Sequence, residues 1–339
     1  MSFRKIAIAV FTVLVISITW FRSPIPPRDT SGALSIELLD VLPKLAGKAQ
    51  FQNVWHLQSP HSDFGGYSAL IFDRDGRMFA GSDRGRTLLF DAPDTAKAGE
   101  IFAEFGRFSA KRSERKALSD LESMTRDPAT GRIWAGFEGI NTIERVDEDL
   151  SSGVQVKPAL MQEWSSNSGP EAMVRLRDGR FVVLSESRDS WRGSRFPALL
   201  FAGDPIENDE ASQFRFVSPS KYRPVDAVQI PDGRVLVLLR HWSVGLPLHF
   251  ANRIVVADPA EIEAGEDWKG QSVARIDDPS IADNYEGIAF EQNDDETLTL
   301  WLISDDNRAT YQRTLLLKLR WDPRPSLAGA SSAKEKARE

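Results

Sequence analysis

The chain has 339 residues, 41% of them hydrophobic and 27% charged, the balance of a soluble globular protein with enough length to bury a large core. A net charge of −7 argues against a nucleic-acid binder, which would gather Lys and Arg on one face. The absence of cysteine excludes disulfides, thiolate nucleophiles and Cys-ligated zinc.

Arg4 and Lys5 precede an apolar run from Ile6 to Phe21, which Arg22 ends. A basic start followed by such a run predicts a secretory signal peptide or an N-terminal membrane anchor over residues 1–22. The run is shorter than the roughly 20 residues a spanning helix needs. The expectation is a periplasmic or secreted protein that meets the membrane only through residues 6–21, if that segment is retained. Residues 23–32 are Pro-rich and polar and read as a linker. Residues 322–339 lack an apolar period and read as a disordered tail. The folded domain is expected over residues 33–321.

Within that domain one phrase recurs five times. Its copies are Tyr67-Ser68-Ala69-Leu70, Leu121-Glu122-Ser123-Met124, Pro170-Glu171-Ala172-Met173, Val225-Asp226-Ala227-Val228 and Tyr285-Glu286-Gly287-Ile288. The intervals between Ser68, Glu122, Glu171, Asp226 and Glu286 are 54, 49, 55 and 60 residues. A period of this size in a strand-rich chain indicates a repeat architecture. Each copy is a short apolar run that turns at Asp-Gly-Arg or an equivalent and enters a second run: Met78–Ser82, Ile133–Phe137, Phe181–Ser185, Val235–Leu239 and Leu298–Ser304. Third strands are predicted at Thr87–Phe90, Thr142–Val146, Ala198–Ala202, Arg253–Ala257 and Thr314–Leu319. Fourth strands are predicted at Ile101–Phe105, Val154–Leu160, Gln213–Val217 and Ser272–Ile276. The fifth repeat ends before its fourth strand, and Phe51–Leu57 can supply it. The fold class is therefore all-β, a β-propeller of five four-stranded blades closed by an N-terminal strand. Six blades are the alternative, if Leu34–Val41 belongs to a degenerate one.

In a blade, the start of the first strand and the end of the second share one face of the ring. That face collects Ser68, Glu122, Glu171, Asp226 and Glu286 with Asp83-Arg84, Glu138, Glu186, Arg240-His241 and Asp305-Asp306-Asn307. The Asp-Gly-Arg turns fall on the opposite face as plain turn chemistry. Crowded carboxylates need a cation such as Ca²⁺, or the nearby Arg84, Arg188, Arg240 and Arg308. Such a mouth suits a metal-bridged anion, phosphate being the natural candidate. The sequence has no Gly-x-Ser-x-Gly elbow, no His-Glu-x-x-His pair and no phosphate-cradling Gly-rich loop. His241 is the histidine best placed to reach the mouth.

Four blocks in order resemble the phytase-like family, described as "esterase-like activity of phytase". They are Phe64-Gly65-Gly66-Tyr67-Ser68-Ala69-Leu70 with Gly81-Ser82-Asp83-Arg84-Gly85, and Asp120-Leu121-Glu122-Ser123-Met124 with Phe137-Glu138-Gly139. Asn167-Ser168-Gly169-Pro170-Glu171-Ala172-Met173 and Asn284-Tyr285-Glu286-Gly287-Ile288-Ala289 with Ser304-Asp305-Asp306-Asn307 complete the set. The resemblance spans roughly residues 50–320 and implies an exported propeller associated with ester or phosphoester hydrolysis. The chain departs from the pattern where Leu239, not an acid, precedes Arg240.

The expected function is metal-assisted hydrolysis of a small phosphorylated or ester substrate at the acidic mouth. Glu122, Glu171, Glu286, Arg84 and Arg240 are the candidate catalytic residues. Asp83, Glu122, Glu138, Glu171, Glu186, Glu286 and Asp305 are the candidate ligands for Ca²⁺. Two rival readings stand beside this one: a calcium-dependent sugar-lactone hydrolase, and a non-catalytic binding or scaffold propeller of the cell envelope.

Overall fold

The computed structural model describes Lys5 and residues 27–93, 99–108, 120–165, 168–188, 193–219, 221–245, 249–309 and 312–324. The predicted export segment and most of the predicted tail lie outside these residues.

Each repeat forms one antiparallel blade, and the five blades stand in a ring. Blade 1 consists of Tyr67–Phe72, Met78–Ser82, Arg86–Phe90 and Glu104–Arg107; blade 2 of Leu121–Arg126, Ile133–Phe137, Thr142–Val146 and Val154–Val156. Blade 3 runs Pro170–Arg175, Phe181–Ser185, Arg195–Phe201 and Ala211–Val217, and blade 4 runs Arg223–Gln229, Val235–Ser243, His249–Ala257 and Gln271–Ile276. Blade 5 is built from Tyr285–Gln292, Leu298–Ser304 and Thr314–Trp321, closed by Gln50–Gln58 from the other end of the domain. Leu316 lies opposite Trp55 in that antiparallel closure, which pairs the edge that would otherwise be open.

The six-bladed alternative is not what forms. The segment expected to seed an extra blade, Leu34–Val41, contributes instead to the strand Ala33–Leu38, which adds to the outside of blade 5, paired with Gln50–Gln58 and with Gly99–Phe102. The predicted fourth strand Ile101–Phe105 is correspondingly split. Its first part joins blade 5, and Glu104–Arg107 completes blade 1. Ala46–Gly47 adds to blade 4. The N-terminal stretch thus ties blades 4 and 5 together, and residues 99–107 tie blade 5 to blade 1.

In four blades the second strand is buried on both faces along its whole length, as in Phe181–Ser185 and Leu298–Ser304, and in blade 4 the burial holds from Val235 to Leu239. They lie between neighbouring blades and so need apolar side chains on both sides, which is why they read as unbroken apolar runs. Outer strands alternate instead, as Ala211–Val217 does. Large aromatics fill the wedges between blades: Trp55 stacks on Trp301 at 5.6 Å, and Trp134 meets Phe181 edge-on at 5.1 Å. The Asp-Gly-Arg turns are turn chemistry, since Gly76, Gly179 and Gly233 have φ of 78°, 92° and 94°, a region costly to any other residue. They surround a funnel of about 520 Å³ lined by the far ends of the innermost strands, among them Leu70, Ala227 and Ile288.

Candidate functional site

All five innermost strands carry a β-bulge at the same point, opposite the end of the second strand. The extra residue is Ser68, Glu122, Glu171, Val225 and Glu286 in blades 1 to 5. A bulge breaks the strict alternation of a strand and re-aims one side chain. Here it turns the acids of three blades toward a common centre, close enough that Glu122 feels the charges of Glu286 and Glu171.

The register also corrects the alignment of the fourth repeat. Val225, not Asp226, is the counterpart of Glu171. Asp226 lies one residue further on and faces the ring interior, where its carboxylate accepts the N–H of Ala227 at 2.8 Å and that of Ile288 in blade 5 at 2.7 Å. The N–H of Leu70 in blade 1 is a third donor.

Two further positions recur around each bulge. Just before the innermost pair stand Gly66, Asp120, Gly169, Arg223 and Asn284. At the matching point of the second strand stand Asp83, Glu138, Glu186 and Asp305, each just past its end, and in the longer strand of blade 4 Arg240. The same backbone bond joins the two positions in three blades: Asp83 N–H to Gly66 O, Glu138 N–H to Asp120 O and Asp305 N–H to Asn284 O, each 2.9 Å. Four blades therefore present an acid at the second-strand end, and blade 4 inverts the charge with Arg240 and Arg223. Gly66, at φ 74°, keeps the mouth open, because a Cβ there would sit 2.6 Å from Asp83 Oδ1.

The acids form two groups. Asp120, Glu122 and Glu138 bring one carboxylate oxygen each within 4.8 Å of one another, and Glu171 adjoins them through a hydrogen bond to Glu138. Burial pushes the Glu122 carboxyl well above the ordinary range, and Glu286, Asp120, Glu138 and Asp83 add repulsion. Burial does the same to Glu171, helped by Glu122 and Glu186, and it lifts Glu138 to about 7. Glu171 Oε1 is buried without a hydrogen-bond partner.

The second group is built on Arg240. Its guanidinium donates to Glu286, to Glu186 at 2.9 Å and to Asn284 Oδ1 at 3.2 Å. Burial opposes that charge, but Glu286, Glu186 and Glu171 outweigh it and hold Arg240 protonated. Asn284 in turn donates to Glu286 at 2.8 Å and to Asp305 at 3.4 Å. Burial raises Asp305, with Glu286 next in effect. Arg84 is exposed, and its guanidinium has no bond to another described residue. His61 packs flat on Phe105 at 3.8 Å and accepts the Asp63 N–H at 3.1 Å.

Asp120 and Asn284 belong to this site as much as the acids singled out from the sequence. The available signal was the Asp120-Leu121-Glu122 and Asn284-Tyr285-Glu286 spacing, two residues ahead of each bulge.

Next to the site, Asp283 is held up at about 6, chiefly by burial. A carboxyl raised in the folded state contributes its stability fully below the unfolded value, about 3.9, and loses it as the pH rises through 6. Asp283→Asn, which still accepts the Asn284 N–H, should therefore gain on the wild type by about 2–3 kcal/mol between pH 4 and pH 7. Thermal unfolding at both pH values checks this, and parallel curves would refute it.

These features define a five-bladed β-propeller whose bulged inner strands make one acidic mouth interrupted by one basic blade. Residues 62–308 match the phytase-like family model, esterase-like activity of phytase, and the chain belongs to that family. No curated protein matches it by sequence. Among solved structures, the PQQ-bound aldose sugar dehydrogenase of Streptomyces coelicolor aligns at 12% identity with a TM-score of 0.44, over 88% of this chain and 100% of its own. The calcium structure of a Trichoderma reesei enzyme of carbohydrate-active family AA12 aligns at 8% identity and a TM-score of 0.42, over 86% and 98%.

Proposed function

We propose that this protein is an exported hydrolase of ester or phosphoester bonds, using Asp120, Glu122, Glu138 and Glu171 to hold a divalent cation, Ca²⁺ by its all-oxygen donor set. The observation that carries the reading is the set of three carboxylate oxygens within 4.8 Å, flanked by the unpartnered Glu171 Oε1. Burial and mutual repulsion raise the carboxyls of Glu122, Glu138 and Glu171, and a hard cation would let such groups ionise. When bound, the ion would polarise an ester or phosphoryl oxygen.

The chain's own groups supply the rest. Arg240, fixed by Glu186 and Glu286, carries a buried Nε with no partner and can donate to an oxygen on which negative charge develops. A carboxylate of the mouth that does not ligate the ion can accept a proton from water or return one to a leaving oxygen. Among the described residues the bulge positions offer one hydroxyl, the buried Ser68, and no other side-chain nucleophile. Water is therefore the attacking group in this reading. The N-terminal segment, as a signal or anchor, would place the activity outside the cytoplasm.

The test is Ca²⁺ titration of the full chain, read by thermal unfolding and by turnover of p-nitrophenyl phosphate and p-nitrophenyl acetate. At a hundredfold excess over the dissociation constant, Ca²⁺ should stabilise by about 2.7 kcal/mol, a rise in Tm of about 4–5 °C. Glu171→Gln should remove most of that rise and the turnover. A chain indifferent to Ca²⁺ and chelator in both measurements would sink the proposal. Stabilisation without turnover would favour a binding propeller with a structural ion.

A further inference from the structure

Blade 4 carries a cavity of its own beside the acidic mouth. It measures about 190 Å³ and is walled by Arg188, Lys221, Arg223, Arg240, His241 and Trp242. Among the described residues the charges around it do not balance. Glu186 lies 2.9 Å from Arg240 and 3.3 Å from Arg223, and Glu286 also pairs with Arg240. Those two carboxylates offset two guanidiniums. Arg188 and Lys221 have no carboxylate partner among the described residues, which leaves two positive charges facing one small space.

Several details show that the arrangement is held in place. Arg188 donates through Nη2 to the Lys221 carbonyl at 3.0 Å, and its guanidinium lies 5.9 Å from the Phe196 ring. Lys221 itself sits at φ 75°, a strained conformation for a residue with a side chain and one that clusters at ligand clamps. Burial and the neighbouring Arg223 charge weaken the hold of Arg188 on its proton. Nε of Arg188 and Nε of Arg240 are both buried with no hydrogen-bond partner among the described residues. Cations brought together without counter-charge repel, and buried donors without acceptors are costly. One occupant resolves both defects: an anion with several acceptor oxygens.

We propose that this pocket binds a phosphate dianion, so that the protein takes phosphorylated compounds whose ester bond reaches the carboxylates next to Arg240. The statement about the ester rests on the hydrolase reading; the binding of phosphate does not. A phosphate group carries close to two negative charges at neutral pH and three acceptor oxygens, matching the two uncompensated cations. Planar guanidinium forks match the geometry of its oxygens. Above the pocket, the hairpin of Val235–Ser243 and His249–Ala257 extends past the blade. It presents Trp242 at 48% exposure and Val244 at 86%, an apolar wall for the organic part of such a substrate.

Calorimetric titration of the full chain with inorganic phosphate at pH 7.5, in the presence of chelator, tests this. Phosphate should bind without metal, acetate at least tenfold more weakly, and Arg188→Gln should weaken phosphate at least tenfold while circular dichroism remains that of the wild type. Lys221→Gln, at an exposed position, gives the same reading should Arg188→Gln prove unstable. Phosphate binding that requires Ca²⁺, that equals acetate binding, or that is unchanged in both variants would overturn the proposal. Phosphate binding without any hydrolysis would count against the hydrolase reading alone.

Discussion

Replacing Arg240 by methionine should destabilise the protein by about 3–5 kcal/mol, the usual cost of removing one partner of a buried charged network. In a domain of this size that is a fall in Tm on the order of 10 °C. Arg240 is the one guanidinium bonded to both Glu186 and Glu286, and its charge also bears on Glu171. Without it these acids are left crowded and dry, with Arg223 the nearest remaining cation to Glu186. Arg240→Lys should recover little, because a point charge cannot span two carboxylates and Asn284 as the planar fork does. The double variant Arg240→Met/Glu286→Gln should be more stable than Arg240→Met alone, since it removes one of the charges left unpaired. Urea unfolding at pH 7 reads all three. An Arg240→Met protein within about 0.5 kcal/mol of the wild type would mean that the acids do not depend on this arginine.

The centrality of Arg240 shows what the sequence could and could not disclose. Repeats were legible because second strands buried on both faces must be apolar throughout, as in Phe181–Ser185, and because the Asp-Gly-Arg turns need a glycine at positive φ. Closure by the N-terminal strand was legible from a count, one strand missing at one end and one spare at the other. Which acid pairs with which base was not legible, because it depends on how bulges aim side chains across blades. The bulge leaves no composition signal of its own. It made Asp226 look like the fourth member of an acidic ring when Val225 holds that place, and it hid Asp120 and Asn284, which stand two residues ahead of it. The splitting of residues 99–107 between two blades was hidden for a related reason: edge pairing depends on which neighbour lies within reach, and both halves have the same strand character.

Asp226→Ala should be among the most damaging single changes in the ring, costing about 3–5 kcal/mol through several buried N–H groups left without an acceptor. The carboxylate accepts from Ala227 in its own blade, from Ile288 in blade 5 and from Leu70 in blade 1, so one side chain holds three blades where their inner strands meet. It is 1% exposed. Burial pushes its carboxyl well above the usual range, against the pull of those N–H donors. Asp226→Asn keeps one acceptor oxygen but turns an NH₂ toward a backbone N–H, and should cost an intermediate amount, about 1–3 kcal/mol. The location of the damage separates this role from that of the acidic mouth. Amide hydrogen exchange at Leu70 and Ile288 should accelerate more than at strand centres elsewhere. Ca²⁺ should stabilise Asp226→Ala by as much as it stabilises the wild type, because the carboxylates of Asp120, Glu122, Glu138 and Glu171 are untouched. A loss below about 1 kcal/mol, or a variant that no longer responds to Ca²⁺, would show that Asp226 belongs to the mouth after all and does not serve as the tie between blades 4, 5 and 1.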